Sequence, residues 1–313
     1  MSPECRWNAV CDADEQVRRF ISAFYPSVSV FSDAEEMLEK AGLDTLFICT
    51  PDHTHRNLAA KPTEQGLNIF VENPLAESLA SARQMVDLAS DKSLISSIGY
   101  YAPFQAVFQK ARELLESGTL DTVKRYRASL QYSLAQTLPS RDQIIRIRLS
   151  DFFHLLTWLF GPVKSLYAKA SDGCTVDTNG VFSVLDHSSG LMGILDVSWN
   201  RPGYPRPAVR ISVEGTGGSL DISAENLKLY LTKKKGEFPR GWTSYHRADL
   251  PSPSRFHLCE EGYYEATRSF LASCSRQEQP AIRWEDGLEI IRMMEAADLS
   301  IAADREISLH EVK

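Results

Sequence analysis

The chain has 313 residues, 43% of them hydrophobic and 24% charged, with a net charge of −7. That is enough for two domains with their own cores. The acidic balance argues against a nucleic-acid partner, the small clusters Arg141, Arg146, Arg148 and Lys233, Lys234, Lys235 reading as solvated faces. No apolar run approaches the ~18 residues of a membrane helix, so no membrane partner is expected either.

In chain order, Trp7 to Asp12 reads as a strand ending in an acidic residue, the form of the second strand of a dinucleotide-binding fold, whose terminal carboxylate holds the adenine ribose. A helix follows over 13–24 with Val17, Phe20, Ile21 and Phe24 on one side, then a helix over 33–41 capped by Ser32 or Asp33. Thr45–Cys49 is an apolar strand, 55–65 a helix ended by Gly66, Asn68–Val71 a strand, 78–90 a helix, 94–98 a strand and 103–117 a helix ended by Gly118. This alternation predicts a parallel sheet covered by helices. From about residue 121 the rhythm changes to alternating strands at 123–130, 181–186, 191–199, 208–214 and 227–231, with helices at 150–160, 259–274 and 285–303. The expected fold class is α/β: a truncated Rossmann-type parallel sheet domain over 1–120 and, over 121–313, an α/β domain with a large, open, mostly antiparallel sheet. The final helix is expected to pack back on the first domain or on the sheet.

Strand 45–49 runs into Thr50-Pro51-Asp52-His53-Thr54-His55, and the next strand into Val71-Glu72-Asn73-Pro74-Leu75. Ligands of open α/β sheets sit beyond such carboxyl ends. The first loop reads equally as a turn in which Asp52 or Thr54 caps the next helix. Thr50, Pro51, His55, Gly66, Glu72 and Pro74, with Gly99-Tyr100, Gly190, Ser198-Trp199, Glu214 to Leu220 and Trp284 to Gly287, together resemble the glucose–fructose oxidoreductase, inositol dehydrogenase and rhizopine-catabolism (Gfo/Idh/MocA) family over nearly the whole chain. The resemblance implies cofactor contacts at Asp12, Thr50, Pro51, His55 and Glu72, and a homodimer through the C-terminal sheet.

Departures from the family pattern lie at other positions. Asn73 stands where the family carries a Lys that orients substrate and supports proton transfer, and an amide carries neither charge nor titratable proton. Anchored on Leu159 and Gly161, Asp151 takes the place of the family's His and His154 that of its Asp; a one-turn deletion, making His154 the family His, is the alternative. Asp151 and His154 share a helix face. The carboxylate is expected to raise the imidazole pKa and orient it as an acid or base. The plainer reading is a helix-cap Asp with a His half-buried against Trp158.

No Gly-rich turn precedes the first strand. From this comes the expectation that phosphate binding is weakened by about 10²–10⁴-fold and that no cofactor is used. The sheet gap left by a missing central strand is expected to close by pairing of 45–49 with 7–11, or to be covered by a partner subunit. The function then expected is a cofactor-independent acid/base enzyme (an isomerase, lyase or cyclase) acting on a small organic metabolite, with His154 and Asp151 as acid and base and Asn73, Tyr100 and Tyr101 orienting. The alternatives are an NAD(P)-dependent dehydrogenase of a sugar or cyclitol, and a non-catalytic sensor or regulatory protein. Cys5, Cys11, Cys49, Cys174, Cys259 and Cys274 show no Cys-x-x-Cys spacing, and His187, His246, His257 and His310 lack ligand spacing. A reduced cytoplasmic protein with no metal and no secretory signal is expected.

Overall fold

The computed structural model describes residues 5–92, 94–134, 141–170, 179–204, 206–251 and 262–313; Cys174, His257 and Cys259 lie outside them. The chain opens with β1 (Ala9–Cys11), α1 (Glu15–Phe24), β2 (Ser29–Phe31), α2 (Ala34–Lys40), β3 (Thr45–Ile48), α3 (Asp52–Glu64), β4 (Asn68–Val71), α4 (Leu79–Lys92) and β5 (Ser96–Ile98). Asp14 and Asp33 start α1 and α2 by accepting hydrogen bonds from the Gln16 and Glu36 amides at 2.7 and 2.8 Å. α3 begins three residues earlier than its sequence pattern implies, with Pro51 at its N-cap and no side-chain cap there.

These strands form two parallel sheets, β1–β2 and β3–β4–β5, with no ladder between β1 and β3. The expected pairing of 45–49 with 7–11 therefore does not form. β1 is bonded to β2 and β3 to β4, and a three-residue strand offers few further ladder bonds to draw a second partner in. β4 is the buried centre: Ile69, Phe70 and Val71 are buried, as are Leu75, Leu79, Met85 and Ile98. By contrast, α1 buries none of its residues, and Val17, Phe20 and Phe24 are 38%, 54% and 67% exposed.

The chain continues with a short 3₁₀ turn over Ala102–Phe104, α5 (Ala106–Glu116), β6 (Val123–Gln131), α6 (Arg141–Phe160), β7 (Val163–Ala170), β8 (Gly180–His187), β9 (Met192–Ser198), β10 (Ala208–Gly215), β11 (Gly218–Ser223), β12 (Asn226–Leu231) and β13 (Gly241–His246). After them come α7 (Tyr263–Arg276), α8 (Trp284–Ala303) and β14 (Ile307–Ser308). The nine-stranded sheet has the order β13-β12-β11-β10-β6-β9-β8-β7-β14 and is antiparallel except where β6 lies beside β9. Alternate residues such as Ala128, Leu130, Leu185, Leu195, Ile211 and Val213 are buried on one face. Gly193 makes room there, since a Cβ at this position would lie 2.1 Å from Tyr126 Cζ. Tyr126 donates its hydroxyl proton to His187 Nε2 at 2.8 Å, and His187 Nδ1 donates to the Gly161 carbonyl at 2.8 Å. His187 is thus a satisfied core residue.

By compactness, Met1–Gly99 with Ala266–Leu288 make one unit and Tyr100–Glu265 with Glu289–Lys313 another. In the first unit Phe270 of α7 packs edge-on to Phe47 at 5.6 Å and against Phe70 at 5.5 Å, and Trp284 Nε1 donates to the Ser97 carbonyl at 2.9 Å. Among the described residues no helix is long and apolar enough to cross a membrane.

Candidate active site

In the first unit, the parallel pairing of β3 with β4 brings the segments after both strands to one edge. The Glu72 amide continues the ladder by donating to the Ile48 carbonyl at 2.9 Å. His55, buried on α3, stands between two carbonyl oxygens: Nε2 lies 2.7 Å from that of Thr50 and Nδ1 3.1 Å from that of Leu75. One imidazole thereby ties the loop after β3 to the loop after β4. Thr54 donates its hydroxyl proton to the Pro51 carbonyl at 2.7 Å, so the 2.6 Å contact between the Thr50 and Thr54 hydroxyls is donated by Thr50. Asn73 is buried and precedes a cis Asn73–Pro74 peptide. Asp12 follows β1 directly; its carboxylate accepts from the Asp14 amide at 2.8 Å and its carbonyl from Arg18 at 2.7 Å.

In the second unit, α6 carries Ser150, Asp151 and His154. Ser150 and His154 are one turn apart and both meet Tyr100. The Tyr100 hydroxyl lies 2.9 Å from Ser150 Oγ, and its ring stacks on His154 with centroids 4.0 Å apart and planes 11° apart. His154 is buried, its Nδ1 has no hydrogen-bond partner, and burial pushes its pKa down to about 3. The expected rise in its pKa is therefore overturned. Desolvation disfavours the imidazolium. His154 is a neutral ring at physiological pH. The half-buried Asp151 is the more accessible of the two groups. Tyr101 stacks on Tyr263 with centroids 3.5 Å apart and planes 23° apart.

The structure thus gathers Thr50, Pro51, His55, Glu72 and Asn73 at neighbouring strand ends in one unit. It gathers Tyr100, Tyr101, Asp151 and His154 in the other. Asp12 stands apart from the first group on the separate β1–β2 sheet. Sequence reasoning missed Ser150 and Tyr263. A signal for the second was present, since Gly262-Tyr263-Tyr264 repeats the triplet Gly99-Tyr100-Tyr101.

Residues 2–100 match the family model described as "Oxidoreductase family, NAD-binding Rossmann fold", and residues 108–221 match the "GFO/IDH/MocA C-terminal domain". The scyllo-inositol 2-dehydrogenase (NAD(+)) of Bacillus subtilis is 31% identical over 248 residues, covering 72% of this chain and 70% of the relative. The chain belongs to the Gfo/Idh/MocA oxidoreductase family. This Gfo/Idh/MocA chain also matches the myo-inositol 2-dehydrogenase of Thermotoga maritima at 24% identity over 322 residues, covering 97% of the chain and 91% of the relative. Among solved structures, levoglucosan dehydrogenase in complex with NADH and L-sorbose superposes with a TM-score of 0.85 at 16% identity, covering 96% of this chain and 89% of that one. That likeness shows the fold.

These findings overturn two expectations: that the chain works without a cofactor, and that it is a non-redox acid/base enzyme. The NAD-binding family model spans the first unit's strands, and the two relatives named above are inositol dehydrogenases. One phosphate-binding turn does not stand for the whole cofactor. Dinucleotide affinity is spread over ribose, phosphate and nicotinamide contacts, so the absence of one turn does not by itself remove the cofactor. The side chains at those ends suit such a ligand chemically: a carboxylate at Asp12 for a ribose diol, a hydroxyl at Thr50 and a buried amide at Asn73.

Proposed function

We propose that this chain is an NAD(P)-dependent dehydrogenase that oxidises a secondary alcohol of a sugar or cyclitol. The observation that carries this reading is the match, over 97% of the chain, to an inositol dehydrogenase, joined to a first unit that keeps the strand-end segments Thr50-Pro51 and Glu72-Asn73-Pro74. Asp12 would hold the adenine ribose through its carboxylate, while Thr50, Pro51 and Glu72 would line the nicotinamide side. A nicotinamide held there would supply the hydride acceptor. The chain's own part is to orient the alcohol and take its hydroxyl proton. Asp151 is the group we assign to the proton: it is a carboxylate on α6, one position from Ser150 and three from His154. His154 is neutral and buried, and with Tyr100 it forms a rigid wall that fixes the adjoining turn of α6. Asn73 is assigned to orienting a hydroxyl, which an amide does as both donor and acceptor.

The same reading takes the working form as a cytoplasmic homodimer. The outward face of the large sheet carries exposed Phe182, Val184, Met192 and Ile194 on the neighbouring strands β8 and β9. Beside them run ion pairs from Arg125 and Arg127 to Glu214, at 2.7 and 2.9 Å. An apolar centre with a charged rim is the anatomy of a protein interface.

A fluorescence titration with NADH and NADPH, followed by reduction of NAD+ or NADP+ with myo-inositol, scyllo-inositol and levoglucosan, tests the reading. Micromolar binding and turnover of one of these alcohols are expected. No binding of either nucleotide at millimolar concentration would remove it.

A further inference from the structure

We propose that Tyr263, laid face to face on Tyr101, is the platform against which the ring of a cyclic polyol packs. The proposal rests on the dehydrogenase reading and names the substrate-contacting surface of the second unit. Its first support is how the pair is built. Gly262 has φ +101°, a backbone conformation that suits glycine, and a Cβ there would sit 2.4 Å from the Tyr101 carbonyl oxygen. Glycine thus lets the start of α7 press onto the backbone of Tyr101 and delivers Tyr263 onto the Tyr101 ring at 3.5 Å.

The second support is the asymmetry of the pair. Tyr101 is 9% exposed, whereas Tyr263 is 38% exposed, so a buried ring backs one that presents surface. The third is its setting. Tyr101 follows Tyr100, which stacks on His154 and meets Ser150 on the turn of α6 that also bears Asp151. The aromatic surface and the proposed proton acceptor therefore belong to one compact unit.

The chemistry selects the ligand class. A Tyr ring offers a flat face with negative quadrupole, and its hydroxyl stays at the edge. A pyranose or cyclitol turns a flat patch of axial C–H groups to such a face and keeps its equatorial hydroxyls in plane for hydrogen bonds. An open-chain polyol has no such patch. Tyr263 is accordingly a residue that selects ring against chain. Aromatic contacts of this kind correspond to roughly 3–10-fold in affinity.

The test compares the full-length protein with Tyr263→Ala, Tyr263→Phe and Tyr264→Ala, each checked for fold by circular dichroism. Binding of myo-inositol and scyllo-inositol is followed by saturation-transfer NMR, and NAD+-linked turnover by steady-state kinetics, with ribitol as the open-chain probe. In Tyr263→Ala we expect a KM for the ring polyol raised roughly 3–10-fold with kcat within about twofold, loss of saturation transfer to the ring protons, and an unchanged KM for ribitol. Tyr263→Phe restores the ring-polyol KM that the Ala variant loses, and Tyr264→Ala leaves it alone. Ring-polyol binding that survives Tyr263→Ala, or an equal loss for ribitol, overturns the platform and leaves the dehydrogenase reading standing. Ring-polyol binding that depends on Tyr263 but comes with no nucleotide reduction keeps the platform and removes the dehydrogenase. A wild-type protein that binds no ring polyol overturns the platform outright.

Discussion

At the residue scale, the His154 imidazole shows how burial and charge divide the work on α6. Its folded pKa of about 3 lies below the 6.5 of an exposed imidazole. A group depressed in this way contributes stability that is full above pH 6.5 and is lost as pH falls from 6.5 toward 3, because the unfolded chain binds the proton first. At about 1.4 kcal/mol per pH unit, roughly 2 kcal/mol is lost on going from pH 7 to pH 5. Burial also lowers the His187 pKa, with the same sign of effect. Urea unfolding at both pH values should show the loss in the wild type and a smaller one in His154→Phe, which keeps a ring on Tyr100; identical pH slopes would refute it. For Asp151, the Asn variant keeps the shape and removes the basicity. We expect kcat to fall by about 10²–10⁴-fold while NADH affinity is unchanged, measured by turnover and by fluorescence titration.

The elements differ in how fully they meet their surroundings. Phe270 of α7 is buried against Phe47 and Phe70, so Phe270→Ala should cost about 3–5 kcal/mol in denaturant unfolding. On α1 the equally apolar Phe20 and Phe24 face outward, and Phe20→Ser should change stability by less than about 0.5 kcal/mol while raising solubility. The α1 stripe was legible as a helix, because Val17, Phe20, Ile21 and Phe24 recur at helical spacing, but its burial was not, since periodicity names a face and says nothing of what lies opposite. Strands β3 and β4 were legible because unbroken apolar runs end at Pro51 and at Glu72. Strand β2 was missed for want of length: three residues beginning with Ser29 give no period to count. The first half of α6, from Arg141, was hidden by arginines and isoleucines that follow neither a helical nor a strand rhythm. At the site, the motif residues could be read one by one. The Tyr100–His154 stack could not, since 54 positions separate its members and local spacing carries no signal of it.

For the whole molecule, the outward face of the large sheet sets the expected assembly. Phe182→Glu combined with Met192→Lys places charges in the apolar centre of the proposed interface and should convert a dimer to a monomer in light scattering, with the fold retained. A wild-type monomer at high concentration would exclude that interface. The sheet's antiparallel character was readable from alternation, but its strand order was not. β6 lies between β9 and β10, partners far along the chain. The division into units carries a different consequence, one of timing. The first 99 residues hold five short strands, but the phenyl ring that closes the core beside Phe47 and Phe70, and the indole that bonds Ser97, come from residues 270 and 284. A ribosome therefore delivers the first unit's strands well over a hundred residues before the segment that completes its core. Until residues 270 and 284 emerge, Phe47 and Phe70 lack the ring that packs on them, and a chaperone that engages nascent hydrophobic segments has its natural substrate there.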